Sequence, residues 1–118
     1  MEHKPRAPRY RVGMNVIYDD SESFWTARVI DASESGLFVE THHDLPVGTR
    51  VTVLPDVAED DEKLPFEIHA EVVRVHEYDP DNHFDRIPGL AFRFVDMPAE
   101  QRHQIKEYLG ARGVHIQK

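Results

Sequence analysis

Residues 31–40 read Asp31-Ala32-Ser33-Glu34-Ser35-Gly36-Leu37-Phe38-Val39-Glu40, a polar segment followed directly by an apolar one. Aspartate and serine favour turns because their side chains hydrogen-bond the local backbone, and glycine lets two backbones approach closely. We therefore predict a tight loop over residues 31–35 and a β-strand over residues 36–40. The loop gathers a carboxylate and hydroxyl groups, all of them hydrogen-bond acceptors, at one point of the chain.

Upstream of this loop, residues 1–11 form a basic arm that contains two prolines and very few apolar side chains. The arm has a net charge of +3, from Lys4, Arg6, Arg9 and Arg11 against Glu2. Such a segment is expected to be extended and mobile on its own. The residues between the arm and the loop read as two strands, so both can meet on one side of a sheet. Arginine guanidinium groups can bind phosphate, and the acceptors of the loop can bind the edge of a base. The combination suits an anionic ligand that carries a base, such as a nucleotide.

The overall composition limits the class of protein. With 118 residues, 40% of them hydrophobic and 31% charged, the chain is expected to form one globular domain. The net charge of −8 argues against DNA or RNA as a partner, because binding a phosphate backbone requires a basic face. The absence of cysteine excludes disulfides and thiolate metal sites and favours a cytoplasmic location. We find neither a signal peptide nor an apolar run of roughly 18 residues, so we expect no membrane insertion.

Alternation of apolar and polar residues predicts six short strands. They cover residues 12–18, 24–30, 36–40, 50–54, 66–76 and 89–95. On the longest of them, the residues predicted to share one side are Ile68, Ala70, Val72 and Arg74.

One helix is predicted after the last strand. It should begin at Pro98, a residue tolerated in the first helical turn, and end at Gly110 and Gly113. Its apolar stripe consists of Ile105, Tyr108 and Leu109. Six strands and a terminal helix predict a mainly β fold, either a small antiparallel barrel or a sandwich, with the helix covering one opening.

Candidate metal and catalytic patterns are weak. The best histidine clusters, His42-His43-Asp44 and His83-Phe84-Asp85, lack zinc-site spacing, so we predict surface histidines and no metal. Residues 79–85 hint at a calcium loop but carry Phe84 where that loop needs glycine. We find no Ser-His-Asp arrangement, glycine-rich phosphate loop or HExxH motif, so we expect no enzyme activity. Trp25 is predicted to belong to the core.

Together these features resemble the PilZ domain family. The downstream [D/N]xSxxG motif of that family is complete as Asp31, Ser33 and Gly36, and its flanking context matches at residues 36–41, 45–49 and 89–94. The similarity covers about residues 5–110. It implies a six-stranded antiparallel β-barrel with one C-terminal α-helix, here as a single domain over residues 12–113 behind the flexible arm of residues 1–11. It also implies binding of the bacterial second messenger cyclic di-GMP.

The first family motif, RxxxR, is out of register in this chain. Arg6 and Arg9 are three residues apart, and Pro5 stands four residues before Arg9. The resemblance implies a cyclic di-GMP site formed by Arg6, Arg9, Arg11, Asp31, Ser33 and Gly36. The function it implies is that of a non-enzymatic receptor or adaptor, without cofactor or metal, whose contacts with an effector protein change on binding. The alternative is a degenerate domain that binds no nucleotide and acts as a protein interaction module in motility or surface behaviour.

Overall fold

Antiparallel strands of the computed structural model close into a barrel. The structure describes residues 8–56, 67–77, 81 and 87–116. Within these ranges the elements are β1 Tyr10–Arg11, β2 Asn15–Asp19, β3 Phe24–Ala32, β4 Gly36–Glu40, β5 Arg50–Asp56, β6 Ile68–His76, β7 Gly89–Phe94, α1 Ala99–Arg112 and β8 Val114–His115. The pairing order β2-β5-β6-β7-β4-β3 is closed by β2 pairing with β3. The predicted mainly β, six-stranded antiparallel barrel with one C-terminal helix is confirmed.

The barrel interior is filled by the inward residues of every wall strand. Alternate positions of an extended strand face opposite sides, so one apolar set per strand reaches the interior. Buried members of this core include Val16, Tyr18, Val29, Val39, Val53, Ile68, Val72, Leu90 and Phe92.

Helix α1 covers one mouth of the barrel. Its buried residues Ile105 and Leu109 border a cavity of about 30 Å³ together with residues of β2, β3, β4 and β5. Pro98 is the extended residue that precedes the helix, and the Gly113 N–H donates to Leu109 O (2.7 Å) at its end. Gly110 lies inside α1, so its prediction as a helix end is wrong. A single glycine costs a helix only about 1 kcal/mol, which is too little to end it.

A β-bulge changes the pattern of β6. The register against β7 shifts between Val72 and Arg74, so the alternation of sides breaks there. Arg74 is exposed, and Val75 is the residue that packs against the core. The prediction that Arg74 shares a side with Ile68, Ala70 and Val72 is therefore wrong. A strict alternation of sides assumes that every residue is paired, and a bulge adds one residue that is not.

Two short strands extend the sheet beyond β3. Tyr10 pairs with Ala32 of β3 on one side and with His115 of β8 on the other. The sequence prediction divides the arm from the barrel after residue 11 and contains no strand at residues 114–115. In the structure, the end of that arm and the C-terminal segment pair with each other.

Tyr18 is a buried ionisable group of the barrel core. Its side chain is 0% exposed, its ring packs on Phe92, and its hydroxyl lies 3.3 Å from Thr41 Oγ1. Burial raises the pKa of Tyr18 above its ordinary value of 10.0, because the core disfavours the phenolate.

We therefore expect the stability of the protein to fall as the pH rises above 10. The unfolded chain loses the Tyr18 proton near its ordinary pKa while the folded chain retains it, so high pH favours unfolding. Urea unfolding between pH 8 and pH 11 measures this decline. The Tyr18→Phe variant should reduce it, and Tyr108→Phe on α1 serves as the matched control. An equal decline in wild type and Tyr18→Phe contradicts the assignment.

Candidate functional site

The polar segment between β3 and β4 forms a tight, internally bonded hairpin loop. The Ser33 N–H donates to Gly36 O (2.8 Å), the Ser35 N–H donates to Ser33 Oγ (3.1 Å), and the Phe94 N–H donates to Ser35 O (2.9 Å). The loop consists of residues 33–35, because Asp31 and Ala32 still belong to β3. The prediction of a loop from residue 31 is therefore wrong at its start. Asp31 continues the ladder opposite Phe38 after a register irregularity that follows Val29.

Gly36 sits where strands β4 and β7 of the barrel wall approach each other closely. A Cβ atom at this position would overlap the carbonyl oxygen of Phe92 in β7. Gly36 pairs with Arg93 in the same ladder. The glycine is therefore required for the β4–β7 contact. Because it has no side chain, Gly36 can offer a ligand only its backbone.

The arm contacts this loop region through Arg9. Arg9 Nε donates to Asp31 Oδ1 (2.6 Å), and Arg9 Nη2 contacts the same oxygen. The side chains are 39% and 23% exposed, so the pair lies at the surface of the barrel wall. Both of these Arg9 contacts fall on the same carboxylate oxygen, Oδ1 of Asp31. The pair therefore places a partly exposed carboxylate beside a partly exposed guanidinium group.

The other predicted arginines differ in what the structure shows of them. The Arg11 side chain is exposed, and no hydrogen bond or ion pair of that side chain is seen within the described ranges. The antiparallel pairing of Tyr10 with Ala32 puts Arg9 and Arg11 on the face of the sheet that also carries Asp31. Arg6 lies outside the described residues. The structure thus brings Arg9, Arg11 and Asp31 to one face.

Ser33 is buried, with 1% of its surface exposed. Its Oγ accepts the Ser35 N–H and lies 3.0 Å from Ser35 Oγ, and its side chain borders the small cavity under α1. In this conformation Ser33 holds the loop closed, and direct contact between its hydroxyl and a ligand stays a prediction. The neighbouring Glu34 reaches toward α1, with its Oε2 3.9 Å from Lys106 Nζ. The loop is thereby connected to the helix.

His43 is half-buried, whereas the sequence predicted a surface histidine. Its ring stacks on Trp25 at 3.8 Å between centroids, and Trp25 in turn stacks on the buried Tyr18. The flat aromatic faces explain this burial, since stacking removes apolar area from water. Across the part of the chain that the structure describes, no group of three or more metal-ligating residues could hold an ion. His83 lies outside that part.

A larger concavity lies elsewhere on the barrel. It has a volume of about 460 Å³ and is lined by the β2–β3 turn, β5, β6 and the residues after β7. It contains none of the residues predicted for the ligand site. Within this cleft Arg50 Nη1 lies 4.0 Å from Asp96 Oδ2, and Arg50 Nε lies 3.8 Å from Glu71 Oε2.

Sequence reasoning missed Tyr10 and the C-terminal residues that contact it. The ring of Tyr10 lies 5.4 Å from that of His115, and Arg9 O accepts the Ile116 N–H (2.9 Å). The sequence does contain one sign of this contact, an aromatic residue among the cations of the arm. A fully solvated basic tail gains nothing from an aromatic side chain, so Tyr10 indicates packing. The pairing partner at residues 114–115 carries no comparable signal, because two residues are too few for a periodic pattern.

Comparison with known proteins supports the family suggested by the sequence. The model of the PilZ domain matches residues 3–111. A search of curated protein sequences finds no match. Among the described residues, no helix is long and apolar enough to cross a membrane.

Two solved structures share the fold. The PilZ domain of YcgR from Escherichia coli, solved with c-di-GMP, superposes with a TM-score of 0.70 at 17% identity, covering 93% of this chain and 92% of that one. The inhibitor of motility MotI/DgrA from Bacillus subtilis superposes with a TM-score of 0.72 at 14% identity over 93% of this chain. This chain spans about half (51%) of the Bacillus protein.

Proposed function

Because this chain belongs to the PilZ domain family, we propose that it is a non-enzymatic receptor for cyclic di-GMP that acts in the cytoplasm. The observation that carries the proposal is the contact between Arg9 of the arm and Asp31 of the DxSxxG segment. This contact supports the proposal because it joins an arginine of the arm to the first residue of the DxSxxG segment. The proposed ligand site consists of Arg6, Arg9, Arg11, Asp31, Ser33 and Gly36.

The chemistry of this face fits a cyclic dinucleotide. A guanidinium fork can bind phosphate oxygens or the guanine edge, and its flat face can stack on a base. Arg11 is exposed beside Arg9, and Asp31 Oδ2 can accept an N–H group from guanine. The net charge of −8 opposes a long polyanion, while a local cluster of arginines suits a small anionic ligand. We propose no DNA or RNA partner and no cofactor.

Binding would act through the arm. Ordering the backbone of a residue costs on the order of 1–2 kcal/mol, and one charge-assisted hydrogen bond contributes about 1.5–3 kcal/mol. The pairing of Tyr10 with β3 and of Tyr10–Arg11 with β8 already orders part of the arm, so fewer ligand contacts are needed to fix it. We propose that the ligand draws arginines of the arm into new contacts and so changes the surface offered to an effector protein.

Calorimetric titration of the intact protein with cyclic di-GMP tests the proposal. We expect saturable binding in the micromolar range or tighter, and weaker binding of GMP, which has one base and one phosphate. A ligand concentration of about 100 μM is high enough to detect micromolar binding. If no heat is released at this concentration, the proposal that the protein is a cyclic di-GMP receptor is rejected.

A second candidate is an interaction module that binds no nucleotide. Pro5 at the position where RxxxR would need arginine favours it, as does the ion pair that Arg9 and Asp31 already make with each other. A pull-down with and without cyclic di-GMP separates the two functions. Partners indifferent to both the ligand and the Asp31→Ala change support the module, and partners lost on either change support the receptor.

A further inference from the structure

The end of the basic arm is held from two sides. On one side Tyr10 pairs with Ala32, the residue that follows Asp31. On the other side Tyr10 and Arg11 pair with His115 and Val114 of the C-terminal strand β8, and the Ile116 N–H donates to Arg9 O (2.9 Å). Strand β1, which contains Arg11 and directly follows Arg9, thus lies between strand β3 and the C-terminal strand β8.

Tyr10 is the side chain that fixes this bridge. Its ring contacts the ring of His115 at 5.4 Å, and it packs partly buried against the core. A Cβ atom on Gly113 would lie only 2.7 Å from Tyr10 Cβ, so the end of α1 approaches Tyr10 without room for a side chain. The packing of Tyr10 therefore ties the arm to the end of the helix.

The position of Tyr10 between the two arginines makes this packing relevant to the ligand. Successive residues of an extended strand face opposite sides, so Tyr10 faces the core side while Arg9 and Arg11 face the side that carries Asp31. Rotation or slippage of β1 would move both guanidinium groups at once, since a register shift of one residue exchanges the two faces. The anchored ring therefore sets where both arginines lie.

We propose that Tyr10 is a positioning residue of the cyclic di-GMP site, anchored by the C-terminal segment Gly113–Ile116, and that through it ligand occupancy is coupled to strand β8. This inference rests on the proposed function. It extends the site to a segment that begins 77 positions after Gly36 in the sequence and has no predicted ligand contact.

Calorimetry on three variants tests the positioning role. Tyr10→Ala should weaken cyclic di-GMP binding at least tenfold, and Tyr10→Phe, which keeps the ring, should stay within about threefold of wild type. His115→Ala, at an exposed position where truncation should leave the fold intact, should weaken binding about two- to tenfold, the size of one aromatic contact. Phe24→Ala, at an exposed position on β3 outside the site, is the matched control and should leave binding unchanged.

Amide exchange at Ile116, followed by NMR, gives a readout that loss of a ligand contact alone would not produce. Without ligand, exchange at Ile116 should be faster in Tyr10→Ala than in wild type, because the bond to Arg9 O is no longer held. In wild type, cyclic di-GMP should slow it. If wild type binds the ligand but Tyr10→Ala and His115→Ala bind equally well, the positioning role is overturned and the receptor stands. If wild type does not bind, both fail.

Discussion

Replacing Gly36 with alanine is expected to destabilise the barrel by about 3 kcal/mol or more. The added Cβ would overlap the carbonyl oxygen of Phe92, which is backbone and cannot rotate away. Relief requires β4 and β7 to separate, although the two strands are paired from Gly36 to Glu40. Urea unfolding followed by circular dichroism measures the loss.

Gly110→Ala is the matched control for this prediction. Gly110 lies in α1, and a Cβ atom there meets nothing within 4 Å. Alanine should stabilise the helix by about 0.5–1 kcal/mol, because it restricts the unfolded chain. A Gly36→Ala variant within about 1 kcal/mol of wild type would show that the close approach of β4 and β7 is not what requires this glycine.

Removing either partner of the Arg9–Asp31 pair is expected to weaken cyclic di-GMP binding by about 10- to 100-fold. The basis is the loss of one or more charge-assisted hydrogen bonds of about 1.5–3 kcal/mol each. The fold should change little, because an ion pair with both side chains partly exposed contributes about 0–1 kcal/mol to stability. Titration calorimetry together with urea unfolding of Arg9→Ala and Asp31→Ala separates the two effects.

A double-mutant cycle distinguishes a shared site from two independent contacts. If Arg9 and Asp31 act together on the ligand, the double variant should bind almost as well as the weaker single variant. Arg102→Ala, an exposed arginine of α1, controls for the loss of one positive charge. Equal affinity of Arg9→Ala, Asp31→Ala and wild type contradicts the assigned site.

The sequence predicts the barrel because the alternation of apolar residues in the strands and the apolar stripe of the helix indicate the same buried faces. Leu90, Phe92 and Phe94 alternate along β7 and are all buried, and Ile105 and Leu109 mark the covered face of α1. The bulge at Arg74 was not predictable from alternation, since a bulge depends on the partner strand.

The proposed ligand site could be predicted only in part from the sequence. The DxSxxG spacing predicts Asp31, Ser33 and Gly36, but spacing could not distinguish the partly exposed carboxylate of Asp31 from the buried hydroxyl of Ser33. Nor could it indicate that Gly36 is required by Phe92, 56 positions later in the chain. The contact of Tyr10 with His115 joins the two ends of the barrel domain, and such long-range pairing has no local signature.

The most direct test is a ¹H–¹⁵N NMR titration of the wild-type protein with cyclic di-GMP. It reports both whether the ligand binds and which residues it approaches. We expect the largest shift changes at Arg9–Arg11 and at Asp31–Gly36, with smaller changes at Val114–Ile116. No change at about 100 μM ligand, or changes confined to the cleft at Asp19–Ser21 and Arg50, would contradict a cyclic di-GMP site at the Arg9–Asp31 pair.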